Sequence, residues 1–348
     1  MWILFGYPFV LALCPRREWR TDSEFRPHVT VIVPAFNERE ALADKLRALE
    51  EIHYERDKLE IVVVVDEDEE SARLARLASP RSKVIFSANR RGKFRAVYEA
   101  IGSSSSDIVL ITDANNTLDR DAILAAVRHF ADESIWGVTG QRFETGSAYE
   151  RYEGFLRSLE SRSGSVAAAS GEVFFLRRKR IPGAPDEPPL MDDFWLLCRL
   201  VESGGRVVYE PRARSSEPAI AVAAELERRS RLVAGLAEAV HELRGTPAPY
   251  SVRLVSHKFG RLLLPWFLVV SVLSSAVLAR RRPYREGLLA QLAFYSLGAL
   301  SAAGVSLPGR YSIVSNGAQQ FLIGNLATFR GLARGVRRRQ SVIWSPVR

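Results

Sequence analysis

Between Val29 and Thr139, short apolar runs alternate with helix-like stretches, and this alternation constrains the fold more than any other feature of the chain. Val29 to Pro34 (VTVIVP), Leu59 to Val65 (LEIVVVV), Lys83 to Phe86 and Asp107 to Thr112 (DIVLIT) read as strands. They are short, rich in β-branched residues and uniformly apolar, as strands buried on both faces are. Glu40 to Ile52, Gly92 to Ile101 and Asp119 to Phe130 carry helical spacing, and Trp136 to Thr139 resumes strand. The pattern predicts stacked βαβ units, an α/β fold with a mainly parallel sheet. Ligands of such sheets sit beyond the carboxyl ends of the strands. Three strands end there in polar groups: Asn37 with Glu38, Asp66, and Asp113. A single acidic residue after a strand is as easily the cap of the next helix. Three on one edge predict a site.

The pattern continues with an amphipathic helix from Tyr149, a small-residue stretch from Val166 to Gly171, and an apolar strand from Val173 to Leu176. A Pro-rich loop (Ile181 to Pro189), a helix to Glu202, a Gly204-Gly205 turn and a strand ending at Glu210-Pro211 follow. Ala219 to Leu243 is expected as one long charged helix containing ERRSR. Beyond it the preferred solvent changes. Residues 262–279 carry no charge and are closed by Arg280, Arg281 and Arg282; residues 287–307 carry none either. Each is close to the roughly 20 residues a bilayer requires, so both are transmembrane candidates. Residues 311–329 are uncharged but contain Ser, Asn and Gln, and span, re-enter or lie at the interface. A basic tail, 336–348, follows. The apolar start, residues 1–15, has neither a basic leader nor a cleavage site and is shorter than a span. It reads as the tail of a longer helix or as an interfacial anchor. A catalytic part over 28–245 is therefore expected, with a ligand-binding half at 28–140 and a second half at 141–245, followed by membrane helices over 255–335.

The net charge of +9 fits an anionic membrane surface, a phosphate-bearing substrate or nucleic acid. The arginines cluster beside apolar segments, and no basic-aromatic platform interleaves with them, so nucleic acid is not expected as a partner. The two cysteines, Cys14 and Cys198, offer neither a disulfide framework nor metal spacing and point to a reducing compartment. No phosphate-binding G-x-x-x-x-G-K-[ST] loop, dinucleotide fingerprint, metal-spaced His pair or nucleophile elbow is present.

Asp113-Ala114-Asn115 directly after a strand can turn two oxygen donors toward one point, which suits Mg²⁺ or Mn²⁺ bridging a diphosphate. Asp192-Asp193 opens a helix, either as a cap or as a general base, since a carboxylate beside another is a stronger base for an acceptor hydroxyl. Arg228, Arg229 and Arg231 lie near Glu225 and Glu227, as a solvated charged face or as a diphosphate clamp. Lys93, in NRRGK, either reaches the same phosphates or starts a surface helix.

The order of these pieces resembles glycosyltransferase family 2, the inverting class with the GT-A fold, over nearly the whole chain. VTVIVPAFNE resembles its opening strand and P-x-x-N-E turn, which carries Pro34, Asn37 and Glu38. VVVVDEDE stands where the family's nucleobase-contacting Asp lies, here Asp66; NRRGKFRAVYEAI supplies Gly92 and Lys93. LITDANNTLDRDAI resembles the D-x-D region, spelled D-A-N in many membrane members, and ASGEVFFLRR, with Gly171 and Glu172, the acceptor-side strand. MDDFWLLCRLVESGGRVVYEP resembles the segment of the catalytic base, with Asp193 in the base position and Asp192 beside it. ERRSRLVAG resembles the Q-x-x-R-W helix, SHKFGRLLLPWFL the join to the membrane helices of exopolysaccharide-type members, and FGYPFVLAL the end of their N-terminal membrane helix.

The resemblance implies a nucleotide-sugar transferase, with a Rossmann-like GT-A domain and C-terminal transmembrane or interfacial helices. A UDP-sugar would be the donor, a glycan or lipid-linked hydroxyl the acceptor, a divalent cation the cofactor, membrane lipids the surroundings, and the catalytic domain would face the cytosol. Two departures bear on this. Asn115 replaces a second carboxylate, and RRSRL lacks the Gln and Trp of Q-x-x-R-W, which favours transfer of one or few sugars over processive synthesis. A processive exopolysaccharide synthase and a catalytically silent scaffold of a glycan-assembly complex are the alternatives. A cytosolic domain also places Arg280 to Arg285 beyond the first span, against the positive-inside tendency. Either the two apolar segments pair as a re-entrant unit, or the tail after Arg334 sets the orientation.

Overall fold

The computed structural model describes residues 2–143, 148–217, 221–305, 308 and 310–337. They form two units: residues up to 217 with 242–254, and residues 221–241 with 255–337. The expected basic tail lies outside the described residues from 338 onward, as does the end of the 287–307 stretch.

The first unit runs α1 (Tyr7–Leu13), β1 (Val29–Ala35), α2 (Arg39–Glu50), β2 (Leu59–Asp66), α3 (Glu69–Ala78), β3 (Lys83–Ser87), α4 (Lys93–Ser103), β4 (Ile108–Ile111), β5 (Thr117–Leu118), α5 (Ala122–Val127), β6 (Ile135–Phe143), α6 (Ala148–Ser163), β7 (Phe174–Arg177), α7 (Asp192–Glu202) and β8 (Arg206–Ser216). Eight strands make one sheet in the order β3-β2-β1-β4-β7-β6-β8-β5. β1, β2, β3 and β4 pair in parallel; β7 runs antiparallel to both β4 and β6, while β6 and β8 are parallel. The sheet is thus mixed at its centre. The apolar runs read from sequence are its inner strands: every residue of β1 and β4 is buried, because helices cover both faces. On α2, Leu42, Leu46 and Leu49 form the stripe that packs on the sheet. Full burial of each contributes about 1.5–3 kcal/mol.

Two expected boundaries shift. β8 does not stop at Pro211 but runs on to Ser216, because the β6–β8 register slips between Thr139 and Gln141. Such an irregularity accommodates a residue without an N–H. β5, a two-residue strand without a sequence signal, pairs with that extension. In α1 and α6, Tyr7 and Leu11 pack on Leu156 and Leu159, and Tyr7 Oη donates to Glu160 Oε1 at 2.7 Å. Phe5, Phe9 and Leu13 stay exposed.

The second unit contains α8 (Val222–Glu238), α10 (Leu264–Val277), α11 (Arg282–Ala302) and α12 (Arg310–Val336); α9 (Ala248–His257) precedes α10. The ERRSR helix, expected within the catalytic part, packs along α12. Glycines allow that approach: a Cβ on Gly331 would fall 2.5 Å from Ser230 O, and one on Gly335 2.8 Å from Ala234 O. α8 also ends earlier than expected, at Glu238, where the chain tightens into a 3₁₀ turn over Ala239–Arg244. Among the described residues one helix, Ala248–Val277, is long and apolar enough to cross a membrane, and it takes in most of the first uncharged stretch. The other two stretches form α11 and α12. Trp266, Phe267, Val270 and Leu273 on α10, Leu289 and Leu300 on α11, and Ile313 and Val314 on α12 are all exposed, far more apolar surface than a water-facing bundle displays.

Candidate active site

The carboxyl ends of β1, β2 and β4 carry Pro34, Asn37, Glu38, Asp66, Asp113 and Asn115 among the residues singled out from sequence. β1 closes with Pro34 and Ala35; Asn37 then adopts φ +55°, and Glu38 leads into α2. Glu67, after β2, adopts φ +59°. Non-glycine residues in the left-handed region carry strain and gather where a loop must leave a strand abruptly, often at functional sites.

Asp66 is buried. Its Oδ2 accepts the Arg91 N–H at 2.8 Å and the Gly92 N–H at 2.9 Å, while Oδ1 accepts Arg91 Nε at 3.3 Å and Nη2 at 3.2 Å. Four bonds occupy the acceptor positions of a carboxylate. Asp66 therefore anchors the 90–92 segment, whose turn requires Gly92 at φ +84°. Lys93 starts α4 immediately afterwards, and Arg90 lies over the Phe36 ring at 3.9 Å.

Lys93 Nζ stands 2.7 Å from Asp113 Oδ1 and 3.8 Å from Asp192 Oδ2. Burial by itself lowers an ammonium pKa, but the charges of Asp113 and Asp192, with a smaller contribution from Asp193, outweigh it and hold Lys93 protonated well above the usual lysine range. Asp192 and Asp193 are the first residues of α7, where the helix N-terminus favours negative charge. The Asp193 N–H donates to Asp192 Oδ1 at 3.0 Å, and the Phe194 N–H donates to Asp193 Oδ1 at 2.8 Å. Gly171 faces Asp193: a Cβ there would lie 3.5 Å from Asp193 Oδ2. Lys93, Asp113, Gly171, Asp192 and Asp193, scattered over a hundred positions, thus form one group.

Two further carboxyls border it. Glu38 is pushed up to about 7, first by burial and then by the charge of Asp113. Glu172 is also pushed up to about 7, by burial and then by the charge of Glu217, against the pull of Arg142. Ser215 Oγ donates to Glu172 Oε2 at 2.9 Å, and Arg142 lies 3.7 Å from Glu172 and 3.1 Å from Glu217. A carboxyl raised from 4.5 to about 7 contributes its full stability below about pH 4.5 and loses it as pH rises through 7. Glu172→Gln should therefore melt a few degrees above the parent at pH 8 and with it at pH 4.5, which thermal unfolding in detergent measures; equal melting points at pH 8 would contradict the assigned ionisation.

Asp113 and the exposed Asn115 present a carboxylate and an amide oxygen, both hard donors of the kind Mg²⁺ and Mn²⁺ take. Among the described residues no group of three or more His, Cys, Asp or Glu is arranged for a metal ion, so a cation here would need water or substrate oxygens besides these two donors. The pair fits Mg²⁺ or Mn²⁺ as two of several oxygen ligands. Arg228 and Arg229 lie in the second unit, where Arg228 pairs with Glu225 at 2.9 Å, and Arg229 pairs with Glu225 at 2.5 Å and with Gln320 Oε1 at 2.7 Å. Arg231 follows on the same helix.

The sequence reading did not single out Lys45, Arg142 or Glu217. Lys45 carried a usable signal, because it occupies the Leu42-Leu46-Leu49 stripe of α2, where a charge breaks the pattern. Arg142 and Glu217 lie at the ends of β6 and β8 and meet through sheet pairing alone.

The model of the family described as Glycosyl transferase family 2 matches residues 30–195. The chain is 25% identical over 219 residues to the probable glycosyltransferase YdaM of Bacillus subtilis (strain 168), covering 56% of this chain and 52% of that protein. It is 26% identical over 201 residues to the poly-beta-1,6-N-acetyl-D-glucosamine synthase of Staphylococcus aureus (strain COL), covering 53% and 48%. The chain spans about half the length of these curated relatives. Among solved structures, the mannosyltransferase PcManGT from Pyrobaculum calidifontis, in complex with GDP-Man and Mn²⁺, shares the fold with a TM-score of 0.69, at 24% identity over 97% of each chain. The match to glycosyl transferase family 2 thus covers residues 30–195, a stretch that includes Lys93, Asp113 and Asp193, and the mixed sheet that carries it has the GT-A fold.

Proposed function

We propose that the chain moves a sugar from a nucleotide-diphosphate sugar, a UDP-sugar first among them, to a hydroxyl of a glycan or lipid-linked acceptor at a membrane surface, with inversion. One observation carries the reading: the Lys93 ammonium joins Asp113 to Asp192, one residue from Asp193. A cation among carboxylates at strand ends suits a diphosphate on one side and a proton acceptor on the other. In this reaction Asp193 takes the acceptor proton, the freed oxygen attacks the anomeric carbon, and the bond from that carbon to the diphosphate oxygen breaks on the opposite face. Lys93 offsets the charge that grows on the leaving diphosphate. Gly171 and Glu172 border the acceptor, and Asn37, Glu38 and Asp66 shape the nucleotide pocket. Mg²⁺ or Mn²⁺, held by Asp113 with Asn115, would neutralise the diphosphate when bound.

The likeness to a poly-beta-1,6-N-acetyl-D-glucosamine synthase supports a glycan acceptor in cell-surface polysaccharide synthesis. The exposed apolar helices and the span Ala248–Val277 support membrane association, and the catalytic domain is assigned to the cytosol. A screen of purified protein against UDP- and GDP-sugars, with Mg²⁺ or Mn²⁺, is expected to release nucleoside diphosphate from one donor in a metal-dependent way. Failure of every donor to bind or turn over would reject the reading.

A further inference from the structure

Lys45 is 1% exposed and lies inside the hydrophobic stripe of α2. Its Nζ donates to Thr112 Oγ1 at 2.8 Å and to Asn116 Oδ1 at 2.5 Å, and Thr112 Oγ1 donates to the same Asn116 oxygen at 3.1 Å. Thr112 and Asn116 are the two ends of the turn that contains Asp113, Ala114 and Asn115. One ammonium therefore clamps both ends of that turn from below.

The arrangement is a poor choice for stability alone. Both acceptors are neutral, and the buried Asn116 Nδ2 has no partner among the described residues. Burial pushes Lys45 down to about 7, against the pull of Asp113 and Glu172. An apolar side chain of the same length would fill the stripe without that desolvation cost, and Asn116 Oδ1 would keep the Thr112 hydroxyl as a donor. A residue that breaks the local pattern with no gain in packing points to the site above it. Charged or neutral, the amine keeps enough N–H donors for both acceptors, so the clamp holds across the working pH range.

We infer that Lys45 is a positioning residue for sugar transfer: it fixes the Thr112–Asn116 turn, and through it the Asp113 carboxylate, without touching the donor. This rests on the transferase reading above. The test compares the full-length parent, Lys45→Met and Lys45→Gln in detergent. It reads amide hydrogen exchange over 112–116, the melting temperature, and kcat and KM for the donor found in the screen. Lys45→Met is expected to melt at or above the parent, to exchange about tenfold faster at the turn alone, and to lose about 10–100-fold in kcat/KM, the scale on which about an ångström of misplacement acts. Lys45→Gln, which keeps one shorter donor, is expected to fall between. A folded Lys45→Met with parental exchange at the turn and parental kcat/KM overturns the inference. If Lys45→Met does not fold, Lys45→Gln with parental values overturns it instead. Exchange needs no substrate: faster exchange in Lys45→Met while the parent turns over no donor would sink the transferase reading and keep the clamp, whereas parental exchange beside parental turnover would sink the clamp alone.

Discussion

Asp193→Asn is expected to lower turnover by about 10³-fold or more while the donor still binds with near-parental affinity. Asparagine matches the carboxylate in shape and keeps the acceptor for the Phe194 N–H, so α7 should start as before. What disappears is the ability to take a proton. General base catalysis supplies about 10²–10⁴-fold, and that contribution is what the substitution removes. The asymmetry between lost turnover and retained binding is the informative part. Calorimetric titration of the donor beside steady-state release of nucleoside diphosphate measures both. Turnover within tenfold of the parent would remove Asp193 from the base position; loss of donor binding as well would make it part of the nucleotide pocket.

The second large effect is expected at Lys93. Its ammonium is the nearest counter-charge to Asp113 and Asp192, and those carboxylates hold it protonated despite burial. Lys93→Met keeps the aliphatic stem and deletes the charge. With the cation gone, the proton affinity of every carboxyl around it rises, so the active, ionised form of the base appears only at higher pH. The acidic limb of the pH–rate profile should move up by about one unit. Turnover at pH 7 should fall about 100-fold, and donor KM should rise because a diphosphate ligand is lost. An acidic limb that stays in place while activity falls would show that Lys93 acts on the donor alone.

The structure explains why the acidic residues at the strand ends were readable from sequence and their supports were not. Asp66, Asp113, Lys93 and Asp193 each stand at a strand or helix end, where a break in the apolar pattern marks them. Asp66 shows the limit of that marker, since position announced it but packing spends all its acceptor capacity on Arg91 and Gly92. The two ends of the pattern that moved, β8 past Pro211 and α8 before Leu243, are set by sheet register and by the 3₁₀ turn that follows. Neither leaves a local trace.

The sequence by itself determined the βαβ order, the buried strands, the change to apolar helices and the identities of the chemical groups, because hydrophobic periodicity and strand-end chemistry are local properties. Only the tertiary structure decided that Glu172 meets Glu217 and Arg142, that Lys45 reaches under the Asp113 turn, and that one ammonium joins Asp113 to Asp192 across 79 positions of chain. Electrostatic coupling depends on distance in space and on burial, and neither quantity exists until the sheet has closed over its helices.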